Sequence, residues 1–139
     1  MKDYKPTWQV HGIFPEPIYL SHLNRPFTKK ELKSVESHKK DLIQNAGNKT
    51  SKNKYVLNKP EMSKLKKDLL KHINLYLEKV IATEHKVTLN ITQSWLNYTN
   101  ENQYHHEHSH SNSFLSGVLY MKANSETDRI FFHKDISKG

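Results

Sequence analysis

The sequence predicts an α+β fold in which two helices precede an antiparallel sheet or barrel. Between residues 62 and 80 the apolar side chains recur every three or four positions, which is typical of an amphipathic helix. From Val87 the apolar period changes to two, and residues 114–121 are apolar on both faces, as in a buried strand. This order, helices first and strands after, indicates the α+β class.

The first helix is predicted by a capping box at its start. Thr28 and Glu31 have the spacing at which a hydroxyl and a carboxylate satisfy each other's backbone N–H groups. Leu42 and Ile43 continue its apolar stripe, and Gly47 suits the left-handed cap that ends a helix. Residues 48–58 are polar and are predicted to form a surface loop.

The second helix is the most regular segment of the chain. Asn58 and Glu61 repeat the cap spacing, and Pro60 falls in the first turn, where proline is tolerated. We expect one apolar face to pack on the sheet and the lysine-rich face to meet water. The apolar stripe consists of Met62, Leu65, Leu69, Ile73, Leu77 and Val80.

Strands are predicted on both sides of these helices. Residues 8–20 contain Pro15 and Pro17, so they favour an edge strand or a lead-in. Residues 87–95 alternate, and Asn97 continues their inward face. A turn over 123–128 and a strand over 129–133 follow the buried strand.

Composition limits the kind of site that the chain can form. The 139 residues suit one domain, so residues 1–139 are predicted to be a single domain. There are no cysteines, which excludes disulfides and thiolate metal sites and suits the cytoplasm. No stretch is long and apolar enough for a membrane span, so we expect a soluble protein. The net charge of +8 would suit an acidic partner such as nucleic acid, but the lysines are spread along the helical regions among Glu and Asp, which favours a solvated face.

A histidine-rich run at residues 104–110 carries the candidate chemistry. In an extended segment His106, His108 and His110 share one face, while His105 and Glu107 share the other. Imidazoles on one face can converge on one metal ion, held by nitrogen and oxygen ligands. A solvated His-rich loop is the alternative interpretation.

Three motifs follow one another between residues 95 and 120: Trp95-Leu96-Asn97, then His108-Ser109-His110, and then Ser116-Gly117-Val118-Leu119-Tyr120. In these motifs the chain resembles the 2-oxoglutarate/Fe(II) oxygenases often encoded by marine bacteriophages. The opening Ile13-Phe14-Pro15-Glu16-Pro17-Ile18-Tyr19 also looks like the family's usual start.

The resemblance implies a double-stranded β-helix (jelly-roll) barrel that binds Fe(II) and uses 2-oxoglutarate as co-substrate. It implies His108 and His110 as metal ligands, with His110 where most relatives carry a carboxylate. Asn97 and Tyr120 are the implied contacts to 2-oxoglutarate. His106 remains an alternative partner of His108, because alternation permits both pairs.

A distal histidine and a 2-oxoglutarate-binding arginine are also implied, but Arg129 and His133 lie too close to the motif to take those roles. We therefore expect an incomplete jelly roll, either truncated at its C-terminus or degenerate. The implied function is hydroxylation of an unknown substrate in the cytoplasm, that of an infected host cell if the gene is a phage gene. Two alternatives stay open: a non-catalytic cupin-like module that binds a metal or small ligand, and a basic nucleic-acid-binding protein.

Overall fold

The computed structural model describes residues 16–133. These residues divide into two units, one that ends at His106 and one that begins at Glu107. The first unit contains the helices and strands α1, β1, β2, α2 and β3 in that order along the chain. The second unit contains turns but no regular helix or strand among its described residues, 107–133.

Helix α1, Lys29–Ser37, begins at the predicted capping box. The Glu31 backbone N–H donates to Thr28 Oγ1 over 3.2 Å, and the Thr28 N–H donates to Glu31 Oε2 over 2.7 Å. The helix ends earlier than predicted, since residues 38–41 tighten into a 3₁₀ turn. The start of the helix is confirmed and its end is corrected.

The predicted end of the first helix is a β-hairpin instead. Strand β1 (Leu42–Asn45) pairs antiparallel with β2 (Asn48–Ser51), and β3 (Asn97–Tyr98) pairs antiparallel with the other edge of β2. Gly47 has φ +81°, so its left-handed conformation closes the hairpin and does not cap a helix. The expected loop over 48–58 therefore begins with a strand.

Helix α2, Ser63–Tyr76, confirms the second predicted helix. It is preceded by a 3₁₀ turn at Pro60–Met62 and followed by a π-helical turn at Leu77–Ile81. Asn58 is not its cap, because the Asn58 Oδ1 atom accepts from Lys66 Nζ over 2.7 Å. The stripe supplies most of the small apolar core, which consists of Val56, Met62, Leu65 and Leu77.

A charged cluster joins the lead-in segment to both helices. Arg25 donates to both carboxylate oxygens of Glu31, at 2.9 and 2.8 Å, and its Nε donates to Asp68 over 2.8 Å. Glu31 is fully buried. Its ion pair with Arg25 lowers the pKa of the Glu31 carboxyl, and the same guanidinium lowers the pKa of Asp68 to about 2.

Most of the other predicted strands are wrong. Residues 82–93 form no ladder, and Val87 is 44% exposed. Residues 114–121 and 129–133 are irregular too, with Phe114, Val118 and Phe131 each at least two-thirds exposed. The turn over 123–128 is confirmed, since the Asp128 N–H donates to the Asn124 carbonyl over 2.8 Å.

The described residues confirm the α+β class but form no closed barrel, since their sheet has three strands and two open edges. Of the predicted N-terminal strand over 8–20, residues 8–15 lie outside the described residues, and residues 16–20 have no regular structure. None of the helices in residues 16–133 has the length and apolar character needed to span a membrane.

Candidate metal centre

His108 and His110 meet through the nitrogens that would bind a metal. Their Nε2 atoms lie 3.1 Å apart, which is also a hydrogen-bond distance, and the ring planes are inclined by 59°. Two nitrogens bonded to one ion at about 2.1 Å lie about 3.0 Å apart when the bonds are at right angles, and about 3.4 Å apart in a tetrahedral site. The observed spacing is therefore close to that of neighbouring ligands in an octahedral centre, the geometry of the non-haem iron oxygenases.

Ser116 fixes the orientation of the second of these rings. The Nδ1 atom of His110 lies 2.7 Å from Ser116 Oγ. A histidine that binds a metal through Nε2 carries its proton on Nδ1, and that proton needs an acceptor. The Ser116 hydroxyl can accept that proton, so the contact is compatible with the tautomer of His110 in which Nε2 carries the lone pair that would bind a metal.

His105 is occupied by the hairpin of the first unit. The Nδ2 atoms of Asn48 and Asn45 lie 3.1 and 3.4 Å from its Nδ1. The Asn48 amide is oriented by its other contacts, since its Oδ1 accepts from Asn45 and its Nδ2 also donates to Thr99. Because N–H groups approach Nδ1, that atom is an acceptor and the proton of neutral His105 is on Nε2.

His106, the alternative ligand, also belongs to the first unit, where it is half-buried with its ring centroid 5.2 Å from that of His105. Residues 104–110 form no strand, so the period-two rule that assigned faces to these histidines does not apply to their actual backbone. The pairing of His108 with His110 comes instead from an irregular segment that brings the two rings side by side.

The expected inward position of Asn97 is wrong. Its side chain is exposed on β3, and the neighbouring Tyr98 is the residue directed inward. The Tyr98 hydroxyl donates to the Val35 carbonyl over 2.6 Å, and burial raises the pKa of Tyr98. A register shift of one residue exchanges the two faces of a strand, which accounts for the error.

Tyr120 lies in the second unit with 52% of its surface exposed. Its expected place on a buried strand is therefore wrong. Among residues 16–133, neither the Tyr120 hydroxyl nor the Asn97 amide side chain makes a hydrogen bond, so both groups are available to a ligand.

The other charged groups of the second unit have local roles. Arg129 donates to the backbone carbonyls of Ser125, Glu126 and Asp128 at 2.7–3.0 Å and thereby secures a turn. His133 Nδ1 lies 3.9 Å from Glu107 Oε2. Within the described part of the chain, no group of three or more His, Asp or Glu side chains could hold one ion. His108 and His110 therefore lie close together as a pair, with no third such side chain beside them among the described residues.

The part of the chain that contains these histidines is similar to a known protein family. Residues 93–138 match the model of a family described as "Putative 2OG-Fe(II) oxygenase". The match covers about a third of the 139 residues and includes both histidines, Asn97 and Tyr120. No curated protein and no solved structure matches the chain.

The sequence does not indicate the contact between Ser116 and His110. A hydroxyl near a histidine ligand is a general signal for such an orienting contact. However, Ser109, Ser111 and Ser113 lie closer to His110 along the chain than Ser116 does. The fold of residues 110–116 decides which serine reaches the His110 ring, and the sequence does not indicate that fold.

Proposed function

We propose that the protein is an Fe(II)- and 2-oxoglutarate-dependent dioxygenase, with His108 and His110 as two of the metal ligands. The 3.1 Å separation of their Nε2 atoms carries the proposal. The family match over the same residues supports it and supplies the reaction class. The proposal includes the jelly-roll scaffold and the cytoplasmic location that the sequence resemblance implies.

The two imidazoles are suited to a divalent transition metal. Both are exposed, so an ion can reach them without first opening a core. His110 supplies a neutral ligand where most relatives have a carboxylate, so the ligand set carries one negative charge fewer. Nitrogen donors favour Fe, Ni, Cu and Zn over Mg and Ca. Ser116 keeps the His110 ring aligned as the ion binds.

Bound Fe(II) would allow O₂ to oxidise both 2-oxoglutarate, to succinate and CO₂, and a substrate, which receives the second oxygen atom as a hydroxyl group. The protein's part is to bind and orient. The Asn97 amide can donate to a carboxylate and accept from a hydroxyl, and the Tyr120 phenol can donate to a carboxylate. We assign both as contacts to 2-oxoglutarate.

One observation favours a second candidate, a non-catalytic cupin-like module that binds a metal or small ligand. The described residues provide a pair of close imidazoles but no third ligand. A two-ligand centre can hold a metal weakly without positioning a co-substrate for reaction.

Anaerobic Fe(II) titration, followed by addition of 2-oxoglutarate and oxygen, separates the two candidates. The dioxygenase proposal predicts succinate formation that requires Fe(II) and is lost in His108→Ala and His110→Ala. Asn97→Ala and Tyr120→Phe should raise the 2-oxoglutarate concentration needed for half-maximal turnover. Metal binding without any succinate would contradict the enzyme and favour the cupin-like module.

A further inference from the structure

A second candidate site lies in the first unit and shares no residue with the site proposed above. It is a cleft of about 320 Å³ between the end of α1 and the base of the β1–β2 hairpin. The residues that line it are Ser37, His38, Asp41, Lys52, Asn53 and Lys59.

The hairpin fixes the two charged residues at the mouth of the cleft. The Lys52 N–H donates to the Asp41 carbonyl over 3.0 Å, which extends the pairing of β1 with β2 by one position. The Asp41 and Lys52 side chains therefore leave neighbouring positions on the backbone. Among the described residues, neither forms an ion pair, and the same is true of Lys59. Two ammonium groups and one carboxylate are thus left facing the solvent that fills the cleft.

The polar groups of the cleft include a defined donor. The Asn53 Oδ1 atom accepts from the Tyr55 N–H over 2.7 Å, which orients the Asn53 side chain. Its Nδ2 group makes no hydrogen bond within residues 16–133 and is the end of the amide available to a ligand. An amide N–H and two ammonium groups form the donor set that an oxyanion needs.

His38 forms the buried wall of the cleft. Its side chain is 7% exposed, and its Nε2 atom has no hydrogen-bond partner among the described residues. Buried polar atoms without a partner are uncommon in folded proteins and call for an explanation such as a ligand or water. Burial and the nearby Lys59 charge lower the pKa of His38, so the wall is neutral and the lysines supply the positive charge.

We propose that this cleft binds a small phosphate ligand that carries a hydroxyl group, either on phosphorus, as in inorganic phosphate, or on a short organic arm, as in a polyol phosphate. Lys52, Lys59 and the Asn53 amide bind the anionic oxygens. Asp41 accepts the hydrogen bond of the hydroxyl group. Volume suits this ligand, because about 320 Å³ admits a phosphate with a short arm but not a large cofactor.

Asp41 gives the cleft its selectivity. An ionised carboxylate only accepts hydrogen bonds, so it stabilises a ligand that brings a hydroxyl donor and repels one that does not. Sulfate has no such donor near neutral pH, and neither does an internal phosphodiester of nucleic acid. The cleft should therefore distinguish a hydroxyl-bearing phosphate from sulfate in two ways, by attraction to the lysines and by repulsion of sulfate from Asp41.

Calorimetric titration of the full-length protein with inorganic phosphate, glycerol 3-phosphate and sulfate tests this assignment. We expect phosphate or glycerol 3-phosphate to bind at least about tenfold more tightly than sulfate, which corresponds to one hydrogen bond. Tighter binding of glycerol 3-phosphate identifies an organic phosphate, and equal binding identifies the inorganic ion. Sulfate affinity equal to both would overturn the proposal, and so would the absence of binding.

Variants test the residues assigned. The double variant Lys52→Gln/Lys59→Gln should weaken phosphate binding at least about tenfold beyond the matched control Lys67→Gln/Lys86→Gln, which removes the same charge from exposed positions. Asp41→Asn should raise the affinity for sulfate and reduce the preference for phosphate. If the double lysine variant does not fold, Asp41→Asn still tests the assignment, because Asp41 is exposed and its replacement should not disturb the fold. The assignment would be contradicted if Asp41→Asn kept the wild-type preference for phosphate over sulfate. It would also be contradicted if the two double lysine variants lost phosphate affinity equally.

Discussion

Replacing Ser116 with alanine should weaken metal binding without removing either ligand. The substitution deletes the hydroxyl that lies 2.7 Å from His110 Nδ1. Loss of a group that orients a metal-bound histidine typically lowers affinity about 10- to 100-fold. Because His110 and Ser116 are both exposed, water can replace the lost acceptor. We therefore expect the low end of that range, about tenfold or about 1.4 kcal/mol.

The assay is anaerobic Fe(II) titration against a competing chelator, in which affinity is read from the chelator's absorbance. Ser109→Ala is the matched control, since it removes an exposed hydroxyl between the two histidines. Ser116→Thr keeps a hydroxyl and should retain most of the affinity. Wild-type affinity in Ser116→Ala, or an equal loss in Ser109→Ala, would refute the role assigned to Ser116.

Three further predictions concern the scaffold. Gly47→Ala should destabilise the fold by about 2 kcal/mol in denaturant unfolding, because the residue has φ +81° and the added Cβ would collide with the Tyr104 carbonyl. Glu31→Gln should cost about 3 kcal/mol in the same assay, because it leaves Arg25 facing a neutral amide in a buried position. Acid should destabilise the wild type through the same cluster. The folded-state pKa values of Glu31 and Asp68 lie below their ordinary values, so their contribution is complete above about pH 4 and is lost as the pH falls towards 2.

Each scaffold prediction has a control. Gly117→Ala should be close to neutral, since nothing lies within 4 Å of the added Cβ. Glu36→Gln removes an exposed carboxylate, 68% accessible, whose ion pair with Lys39 is worth little. Glu31→Gln should also flatten the acid dependence relative to wild type. The stabilising role of the cluster would be contradicted if Glu31→Gln and Glu36→Gln lost equal amounts of unfolding free energy. It would also be contradicted if Glu31→Gln kept the wild-type dependence of stability on acid pH.

Local signals predicted the helices well, because a helix satisfies its own backbone groups. The capping box at Thr28 and Glu31 forms with both hydrogen bonds, and the apolar stripe of α2 supplies the core. The hairpin was missed because Gly47 fits two motifs equally, a helix cap and a hairpin turn, and both use its left-handed conformation.

The strands failed for a different reason. Alternating or doubly apolar segments such as 87–95 and 114–121 can form strands only when another segment supplies the ladder hydrogen bonds. Periodicity does not identify that partner. The same limit applies to the candidate site. The family resemblance implied the pair His108 and His110, with His106 as an alternative, but the sequence did not indicate Ser116, which contacts His110 through the irregular path of the backbone.

The central claim is that one metal ion binds between His108 and His110. Fe(II) titration of the wild type and of three single alanine variants tests it most directly. His108→Ala and His110→Ala should each abolish tight binding, whereas His105→Ala should retain it, because His105 Nδ1 is held by Asn48 in the hairpin. A loss in His105→Ala as large as in the other two would contradict the assignment.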